Sequence, residues 1–410
     1  MKFRVFEMFD YILLICVFLL ILMGILFVYS SGVNSEQISI SNEYIKQIIF
    51  AGTGLPIMIF FAVFDYRRLE RFVMPAFLVF LVISAYTMLF GRFVNGARSW
   101  IGIGSFGIQP SEFGKIVYIM FFARYLERSE NTPPFKRLLL SFVIVAAPAL
   151  LILMQPDMGT ASVYFPVFIG MLFAAGIPAA YLGFIILTGV LAIVFTVIPV
   201  WQTSILQKSI ALLNIFTDSH LRIIVIITLS VVSLIGITGY LFYRNRYYHS
   251  ITWLSGSFLA AFVGSIMSSK VLKDYQIKRL IVFLNPYTDP LGSGWNIIQS
   301  RIAIGSGGIA GQGFLKGTQS HYRFLPQQST DFIFSILSEE WGFLGGIFVF
   351  FLYSIVFFRF FLSIKRCDDL FGKLIVSGIL AMFFFHFFVN VGMVMGIMPI
   401  TGIPLLFLSV

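Results

Sequence analysis

The chain is a succession of apolar runs, most of them long enough to cross a lipid bilayer. Of its 410 residues 59% are hydrophobic and only 11% are charged. A membrane-spanning helix needs roughly 17–25 mostly apolar residues, and no water-soluble domain can cover so much apolar surface. The sequence therefore predicts an all-α polytopic membrane protein. Eleven candidate spans lie at about 11–30, 47–64, 72–90, 113–127, 138–154, 160–176, 180–200, 222–243, 251–269, 340–363 and 374–397.

The fourth run is short and contains Lys115, so a tilted or partly re-entrant helix is expected there. The first run follows the short segment MKFRVFEMFD, which has no small-residue cleavage site. The sequence therefore predicts an uncleaved first span.

Basic residues indicate the orientation of these spans. With the N-terminus in the cytoplasm, every basic cluster falls in a cytoplasmic loop, as the positive-inside rule requires. The net charge of +10 is then a topology signal rather than a nucleic-acid-binding surface. Region 270–338 is expected to lie outside the cytoplasm. The clusters are Arg67, Arg68 and Arg71; Arg124, Arg128, Lys136 and Arg137; Arg244 and Arg246; and Lys365 and Arg366.

A long polar, glycine-rich stretch interrupts the apolar pattern at 283–331. Trp295, Ile298 and Ile302 recur at helical spacing, which predicts a short amphipathic helix along the membrane interface with Gln299 on its polar face. Arg301 is expected on that same face. The glycines that follow suit either close approach of backbone to a ligand or a plain flexible connector.

Carboxylates lie in this polar stretch and in two earlier polar segments. Asp331 ends the long stretch immediately before an apolar run, so it is either a helix cap or a functional carboxylate. Asp157 in QPDMGT has the same two interpretations. Glu112 and Lys115 are three residues apart on one helix face, where they either pair near the membrane surface or form a functional site. Arg98 lies in the segment just before them.

Several chemistries are excluded or unsupported by the sequence. GQGFLKGT lacks the glycine spacing of a phosphate-binding loop, because Lys316 is followed by Gly317. The two cysteines, Cys16 and Cys367, provide no disulfide framework. No His, Cys and carboxylate spacing supports a tight metal site, and both His321 and His386 look isolated. A reaction at the external face must therefore use a preactivated substrate or need no energy source.

Five segments together resemble the SEDS family, the RodA/FtsW/SpoVE peptidoglycan polymerases, in family order over roughly 90–408. The wording of FLNPYTDPLGSG and GTQS is most similar to the elongation-type RodA branch. The segments are NGARSWIGIG with IQPSE, QPDMGT, NPYTDPLGSGWNIIQSRIAIGSGGIAGQGFLKGTQS, FLPQQSTDFIFSILSEEWG and NVGMVMGIMPITGIPLL.

The resemblance implies a glycosyltransferase that polymerises lipid II at the outer face of the bacterial cytoplasmic membrane during cell elongation and shape maintenance. The family's essential aspartate maps onto Asp331, which would be the general base, and Ser329 stands where many relatives carry His. Lys115 and two arginines would offset the diphosphate charge of the substrate, and Glu112 would hold Lys115. The other expected substrate-binding residues are Arg98, Asp157, Gln299 and Arg301.

The family also implies a fold and partners. We expect one SEDS-type bundle of ten to eleven helices over 1–410, with 270–338 as the catalytic loop region. An inserted helix pair at 222–269 and an absent final family helix after 410 are departures from the family. The expected partners are a class B penicillin-binding protein (transpeptidase), the elongation machinery and membrane lipids, without nucleic acid. No tightly bound cofactor is expected, and a divalent cation, Mg²⁺ or Mn²⁺, is left open at the diphosphate. A lipid II flippase or other lipid transporter is the competing interpretation. A scaffold role that recruits the partner is compatible with catalysis.

Overall fold

The computed structural model describes residues 9–36, 38–94, 96–103, 106–206, 210, 213–271, 274–292, 294–322, 324–325 and 327–409. Helices dominate this part of the chain. They are α1 (Tyr11–Ser31), α2 (Glu43–Val63), α3 (Val73–Phe90), α4 (Pro110–Arg128), α5 (Pro134–Met154), α6 (Met158–Ala174), α7 (Ala179–Trp201), α8 (Ser219–Tyr243), α9 (Arg246–Val271), α10 (Asp274–Leu284), α11 (Trp295–Gly307), α12 (Thr318–His321), α13 (Ile333–Arg366) and α14 (Leu370–Val394).

All eleven predicted spans are helices in the structure. Among the described residues, nine helical segments are long and apolar enough to cross a membrane, and α6 is a shorter apolar helix. The fourth predicted span is α4, whose 19 residues extend about 28 Å at 1.5 Å per residue. It is therefore longer than the apolar run alone predicted, because its first turn, Pro110 to Glu112, is polar.

The chain forms two compact units, Met1–Ile177 with Asn296–Val410, and Pro178–Trp295. The predicted inserted pair corresponds to α8 and α9 in the second unit. That this pair is an insertion, and that the whole chain is one domain, stay predictions.

Small residues bring the helices of the first unit into contact. A Cβ added to Gly378 of α14 would lie 2.8 Å from Ile119 of α4 and 2.8 Å from Met171 of α6. Three helices therefore meet at one glycine. Such close approach supplies much of helix association in lipid, where the hydrophobic effect between helices is weak.

Arg137 closes the end of this unit opposite to the polar segments described below. The residue is 4% exposed. Its guanidinium donates to the carbonyl oxygen of Leu126 at the end of α4 and, at 3.0 Å, to that of Ala175 just after α6. It also donates to Ser129 Oγ at 3.1 Å. One planar side chain thus donates to carbonyls at the ends of two helices.

A small antiparallel sheet, which the sequence did not predict, lies between α3 and α4. Its strands are β1 (Arg92–Val94), β2 (Ala97–Ile103) and β3 (Phe106–Ile108), in the order β1-β2-β3. The main-chain N–H of Arg98 donates to the carbonyl of Gln155 at 3.1 Å. The sheet is thereby joined to the turn between α5 and α6.

Helix α13 is broken at Gly342, whose φ of 63° and ψ of −158° are not helical. The break frees backbone groups on both sides, and the glycine-rich segment 308–313 pairs with them. Gln312 and Gly313 donate to the carbonyls of Glu339 and Glu340, at 3.0 and 2.9 Å. In the other direction, the N–H groups of residues 343 and 344 donate to the carbonyl oxygens of residues 308 and 309, at 2.9 and 3.1 Å. These four hydrogen bonds anchor the long polar stretch to a membrane helix.

In the second unit, hydroxyl groups and glycines join the packed helices. Ser233 of α8 lies 2.8 Å from Ser255 of α9, oxygen to oxygen. A Cβ on Gly236 would lie 2.5 Å from the hydroxyl of Thr252. This is the small-residue packing expected of helices in lipid.

Candidate active site

Asp331 lies at the junction of the polar stretch with α13. Its side chain is partly exposed, and the N-cap position of α13 is occupied by Phe332. The main-chain carbonyl of Asp331 accepts a hydrogen bond of 2.9 Å from Asn390 Nδ2 of α14. A reactive carboxylate needs access to substrate on one side and a fixed backbone on the other. Asp331 has both.

The segment that follows α14 returns to this junction. Ile403 accepts a second hydrogen bond from Asn390 Nδ2, at 2.8 Å. Gly402, with φ of +70°, approaches the carboxylate, since a Cβ built on it would lie 3.6 Å from Asp331 Oδ2. A Cβ on Gly159 would lie 2.3 Å from the carbonyl oxygen of Thr401. Segment 401–404 therefore touches both the QPDMGT turn and Asp331.

Glu112 and Lys115 form the ion pair that their spacing predicted, with Lys115 Nζ 2.7 Å from Glu112 Oε2. The lysine side chain is 5% exposed and the glutamate side chain 38%. Lys115 Nζ is also 3.3 Å from His386 Nε2 of α14. His386 Nδ1 in turn lies 3.1 Å from the carbonyl oxygen of Pro404. The charged pair on α4 is thus connected through α14 to the same segment that contacts Asp331.

Asp157 caps α6, as one of its two interpretations predicted. Its Oδ1 accepts from the Thr160 N–H at 3.1 Å, and its Oδ2 from the Thr160 hydroxyl at 2.9 Å. Gln109, which precedes α4, donates to Asp157 Oδ2 at 2.5 Å. Burial, with a smaller contribution from the Glu112 charge, raises the pKa of Asp157 above its ordinary value. The Asp157 carboxylate therefore both caps α6 and contacts the residue that precedes α4.

Helix α11 confirms the predicted short helix, but its buried face differs from the prediction. Ile297, Gln299, Ser300 and Ala303 are buried, whereas Ile302 is 45% exposed. Gln299 is thus not on an exposed polar face, because α11 packs inward through its small residues.

The contacts of Ser300 show where α11 packs. Its hydroxyl lies 2.8 Å from that of Ser335 on α13. The same hydroxyl donates to the carbonyl of Val394 on α14, at 2.7 Å.

The two predicted arginines are exposed. Arg98 donates to the carbonyl of Leu89 at 3.5 Å. A Cβ on Gly396 would lie 3.3 Å from Arg301 Cδ, which places Arg301 beside the turn that follows α14. Substrate contacts of Arg98, Arg301 and Gln299 stay predictions.

Glu339 and Glu340 are both fully buried in protein rather than facing lipid. Glu339 accepts hydrogen bonds from the Gln319 N–H at 2.8 Å and the Thr318 hydroxyl at 3.2 Å. Glu340 accepts a hydrogen bond from the Ser30 hydroxyl. His321, which looked isolated in the sequence, has its Nε2 3.7 Å from Glu340 Oε1. These carboxylates hold the polar stretch against α1 and α13.

His386 and Asn390 are the site residues that sequence reasoning missed. His386 was interpreted as isolated, and the structure corrects this: it lies between Lys115 and Pro404. Two polar residues at i and i+4 in an apolar helix were the available signal, because polar groups within spans are costly.

The arrangement of potential metal ligands bears on the divalent cation left open by the sequence. Within the described ranges, no group of three or more His, Cys, Asp or Glu residues is arranged to hold a metal ion. A divalent cation here would be held mainly by substrate phosphates with one or two carboxylates, which is the common arrangement for Mg²⁺.

An apolar groove of about 850 Å³ opens beside the start of α4. It is bounded by α3, α4 and the small sheet, and its lining is almost entirely hydrocarbon. The residues that line it include Phe80, Ile83, Ile101, Ile108, Pro110 and Phe113. A hydrocarbon chain fits such a surface next to the Glu112–Lys115 pair.

Fold and site together define a multi-pass α-helical membrane protein in which α14 and segment 401–404 connect the charged pair on α4 to Asp331. The model of the FtsW/RodA/SpoVE cell cycle protein family matches residues 10–224 and 212–410. The chain belongs to this family.

Similar proteins agree with the family and with the predicted branch. A peptidoglycan glycosyltransferase RodA from Treponema pallidum is 51% identical over 409 residues, covering 100% of this chain and 94% of the relative. Peptidoglycan glycosyltransferase MrdB from Escherichia coli is 31% identical, over 94% of this chain and 85% of its own. A solved structure described as a peptidoglycan synthase complex that coordinates polymerization and crosslinking matches with a TM-score of 0.67 and 25% identity, covering 98% of this chain and 92% of that one. The predicted family, RodA-like branch and helical membrane fold are confirmed.

Proposed function

We propose that this protein is a peptidoglycan glycosyltransferase that polymerises lipid II at the outer face of the cytoplasmic membrane, for cell elongation and shape maintenance. The observation that carries the proposal is Asp331, a partly exposed carboxylate whose backbone is held by the buried Asn390. Relatives named as peptidoglycan glycosyltransferases match over nearly the whole chain, which supports the same reaction class.

Asp331 is proposed as the general base on the 4-hydroxyl of the acceptor sugar. The hydroxyl oxygen attacks the anomeric carbon of the donor, forming the new glycosidic bond, while its proton passes to the carboxylate. The anomeric carbon–oxygen bond breaks with inversion, and the lipid diphosphate leaves with the bonding electrons. General base assistance contributes about 100- to 10,000-fold in rate.

The exposure of each charged side chain indicates its role in the proposed reaction. Lys115 is buried and Glu112 is partly exposed, so Lys115 orients the Glu112 carboxylate toward the site, the reverse of the roles expected from the sequence. The exposed Arg98 and Arg301 would offset the diphosphate charge as it develops on the leaving group. Asp157 fixes the start of α4 through Gln109.

The apolar groove beside Pro110 and Phe113 would receive the hydrocarbon chain of the donor lipid. A chain lying there would bring its diphosphate to the N-terminus of α4, where the helix dipole favours negative charge.

Sidedness and partners belong to the same proposal. Arg124 lies near the end of α4 and Arg137 in the first turn of α5. These helix ends are assigned to the cytoplasm together with the N-terminus, because basic residues concentrate on that side. A class B penicillin-binding protein that crosslinks the product is proposed as the partner. The description of the similar synthase complex, in which polymerization and crosslinking are coordinated, supports that pairing.

A lipid II flippase is the second candidate, because Glu112, Lys115 and His386 place polar groups within the helix bundle. Purified protein in proteoliposomes with fluorescent lipid II distinguishes the two activities. Glycan polymer that disappears in Asp331→Asn supports the polymerase. Leaflet exchange without polymer supports the flippase. Glu36→Gln, which removes an exposed carboxylate after α1, is the matched control.

A further inference from the structure

Helix α14 carries two buried polar side chains one turn apart, His386 and Asn390, which are 1% and 0% exposed. Both lie within an apolar helix of the membrane domain. A buried polar group costs free energy unless its hydrogen bonds are made. Their partners therefore indicate why the sequence tolerates them.

Asn390 uses its amide nitrogen on two carbonyls from distant parts of the chain. It donates to Asp331 O at 2.9 Å and to Ile403 O at 2.8 Å. An amide has two N–H donors in one plane, so a single side chain ties both backbones to α14. The position of the Asp331 backbone, and hence of its carboxylate, depends on this contact.

His386 makes the equivalent connection for Lys115. Its Nε2 is 3.3 Å from Lys115 Nζ, and its Nδ1 is 3.1 Å from Pro404 O. An ammonium group can only donate and a carbonyl can only accept. The partners thus assign the neutral tautomer, in which Nε2 accepts from Lys115 and Nδ1–H donates to Pro404.

The carbonyl contacted by Asn390 belongs to Ile403 and the one contacted by His386 belongs to Pro404, the next residue. Both side chains are therefore bound to one short segment. We propose that His386 and Asn390 are positioning residues that, with this segment, form a bracket fixing Asp331 relative to the Glu112–Lys115 pair. The inference rests on the proposed glycosyltransferase function. Displacement of a reacting group by 1 Å costs on the order of 100-fold in rate, and the bracket limits such displacement.

The test measures lipid II polymerisation by the purified full-length protein in proteoliposomes. Asn390→Ala removes the tie to Asp331, and we expect kcat to fall about 10- to 100-fold with KM changed less than about twofold. Ser377→Ala is the control. It removes a buried hydroxyl on the same helix that bonds only its own backbone, the Lys373 carbonyl, at 2.7 Å, and it should retain the wild-type kcat.

A double-mutant cycle separates positioning from general stability. Asp331→Glu already displaces the carboxylate, so Asn390→Ala should have little further effect in that background. The fold-loss of kcat in the double variant should therefore be much smaller than the product of the two single fold-losses. For His386, His386→Leu should lower kcat about 10-fold. His386→Gln, which keeps an acceptor and a donor, should recover part of that loss.

The outcomes are decisive for the bracket. If Asn390→Ala retains wild-type kcat, or changes KM alone, or combines multiplicatively with Asp331→Glu, the bracket is wrong. If Asn390→Ala does not fold, Asn390→Ser, which keeps one donor, decides. An intermediate kcat supports the bracket and an unchanged kcat overturns it. If the wild-type protein forms no lipid II polymer, the proposed function is rejected, whatever the Asn390 variants do. Activity retained in Asp331→Asn would reject Asp331 as the general base.

Discussion

Gly342 is a position where one added methyl group should disturb the link between the polar stretch and the membrane helices. Its φ of 63° and ψ of −158° lie in a region that only glycine adopts readily. A Cβ there would lie 2.3 Å from the Gly311 nitrogen and 2.7 Å from the Ile309 oxygen. Both neighbours are backbone atoms, so Gly342→Ala cannot be relieved by a side-chain rotation.

The expected cost follows from two contributions. Alanine in this backbone region costs about 1–3 kcal/mol. Displacing segment 308–311 also weakens the two bonds from Phe343 N and Leu344 N, at about 0.5–1.5 kcal/mol each. Gly342→Ala should therefore destabilise the protein by about 2–6 kcal/mol.

Thermal unfolding of the detergent-solubilised protein, followed by tryptophan fluorescence, measures this effect. Trp341 is adjacent and its ring is 5.1 Å from that of Phe27, so it reports on the local packing. Gly305→Ala is the control, since a Cβ there meets nothing within 4 Å and alanine favours a helix by about 1 kcal/mol. If Gly342→Ala has the same melting temperature as the wild type, the break in α13 tolerates a side chain and the expected destabilisation is wrong.

Three further predictions concern the site and its opposite end. Because burial raises the pKa of Asp157 above 3.8, the folded state binds a proton more readily than the unfolded state. Its contribution to stability therefore falls as pH rises from 3.8 through the raised pKa. Asp157→Asn, which keeps a capping side chain, should remove that slope from melting temperatures measured between about pH 4 and 7. Gly159→Ala should lower polymerisation about 10-fold, because its Cβ would lie 2.3 Å from Thr401 O. Arg137→Lys should destabilise the protein by about 1–3 kcal/mol, measured as a lower melting temperature. Lysine cannot reproduce the guanidinium hydrogen bonds to Ala175, Leu126 and Ser129.

Each of these has a contradicting result. A pH slope that persists in Asp157→Asn would remove this carboxyl as its source. Wild-type kcat in Gly159→Ala, with Gly52→Ala as an open-space control, would show that segment 401–404 does not position the site. Equal stability losses in Arg137→Lys and in Arg128→Lys, a substitution of an exposed arginine on α4, would argue against a buried clamp.

The helices and one ion pair could be read from the sequence because both depend on local spacing. Apolar run length predicted a helix at each of the eleven positions, and the i,i+3 spacing of Glu112 and Lys115 predicted their contact. The position of Asp331 before an apolar run made it a candidate, and the family resemblance assigned it the expected role of general base.

Features set by distant contacts were not predictable in this way. His386 and Lys115 are 271 residues apart, so nothing local indicates that they meet. The break at Gly342 is invisible because its neighbours continue a helical pattern and its pairing partners lie in another segment. Helix α11 presented an apolar stripe, yet it packs through Ser300 and Ala303, because small residues allow the closest approach of helices.

The proposed mechanism depends on Asp331 as the base for glycan polymerisation. The most direct measurement is the rate of lipid II polymerisation by wild type, Asp331→Asn and Glu36→Gln at equal amounts of folded protein in proteoliposomes. We predict that Asp331→Asn loses at least about 100-fold in rate with an unchanged melting temperature, and that Glu36→Gln matches wild type. Near-normal polymerisation by Asp331→Asn would contradict the account.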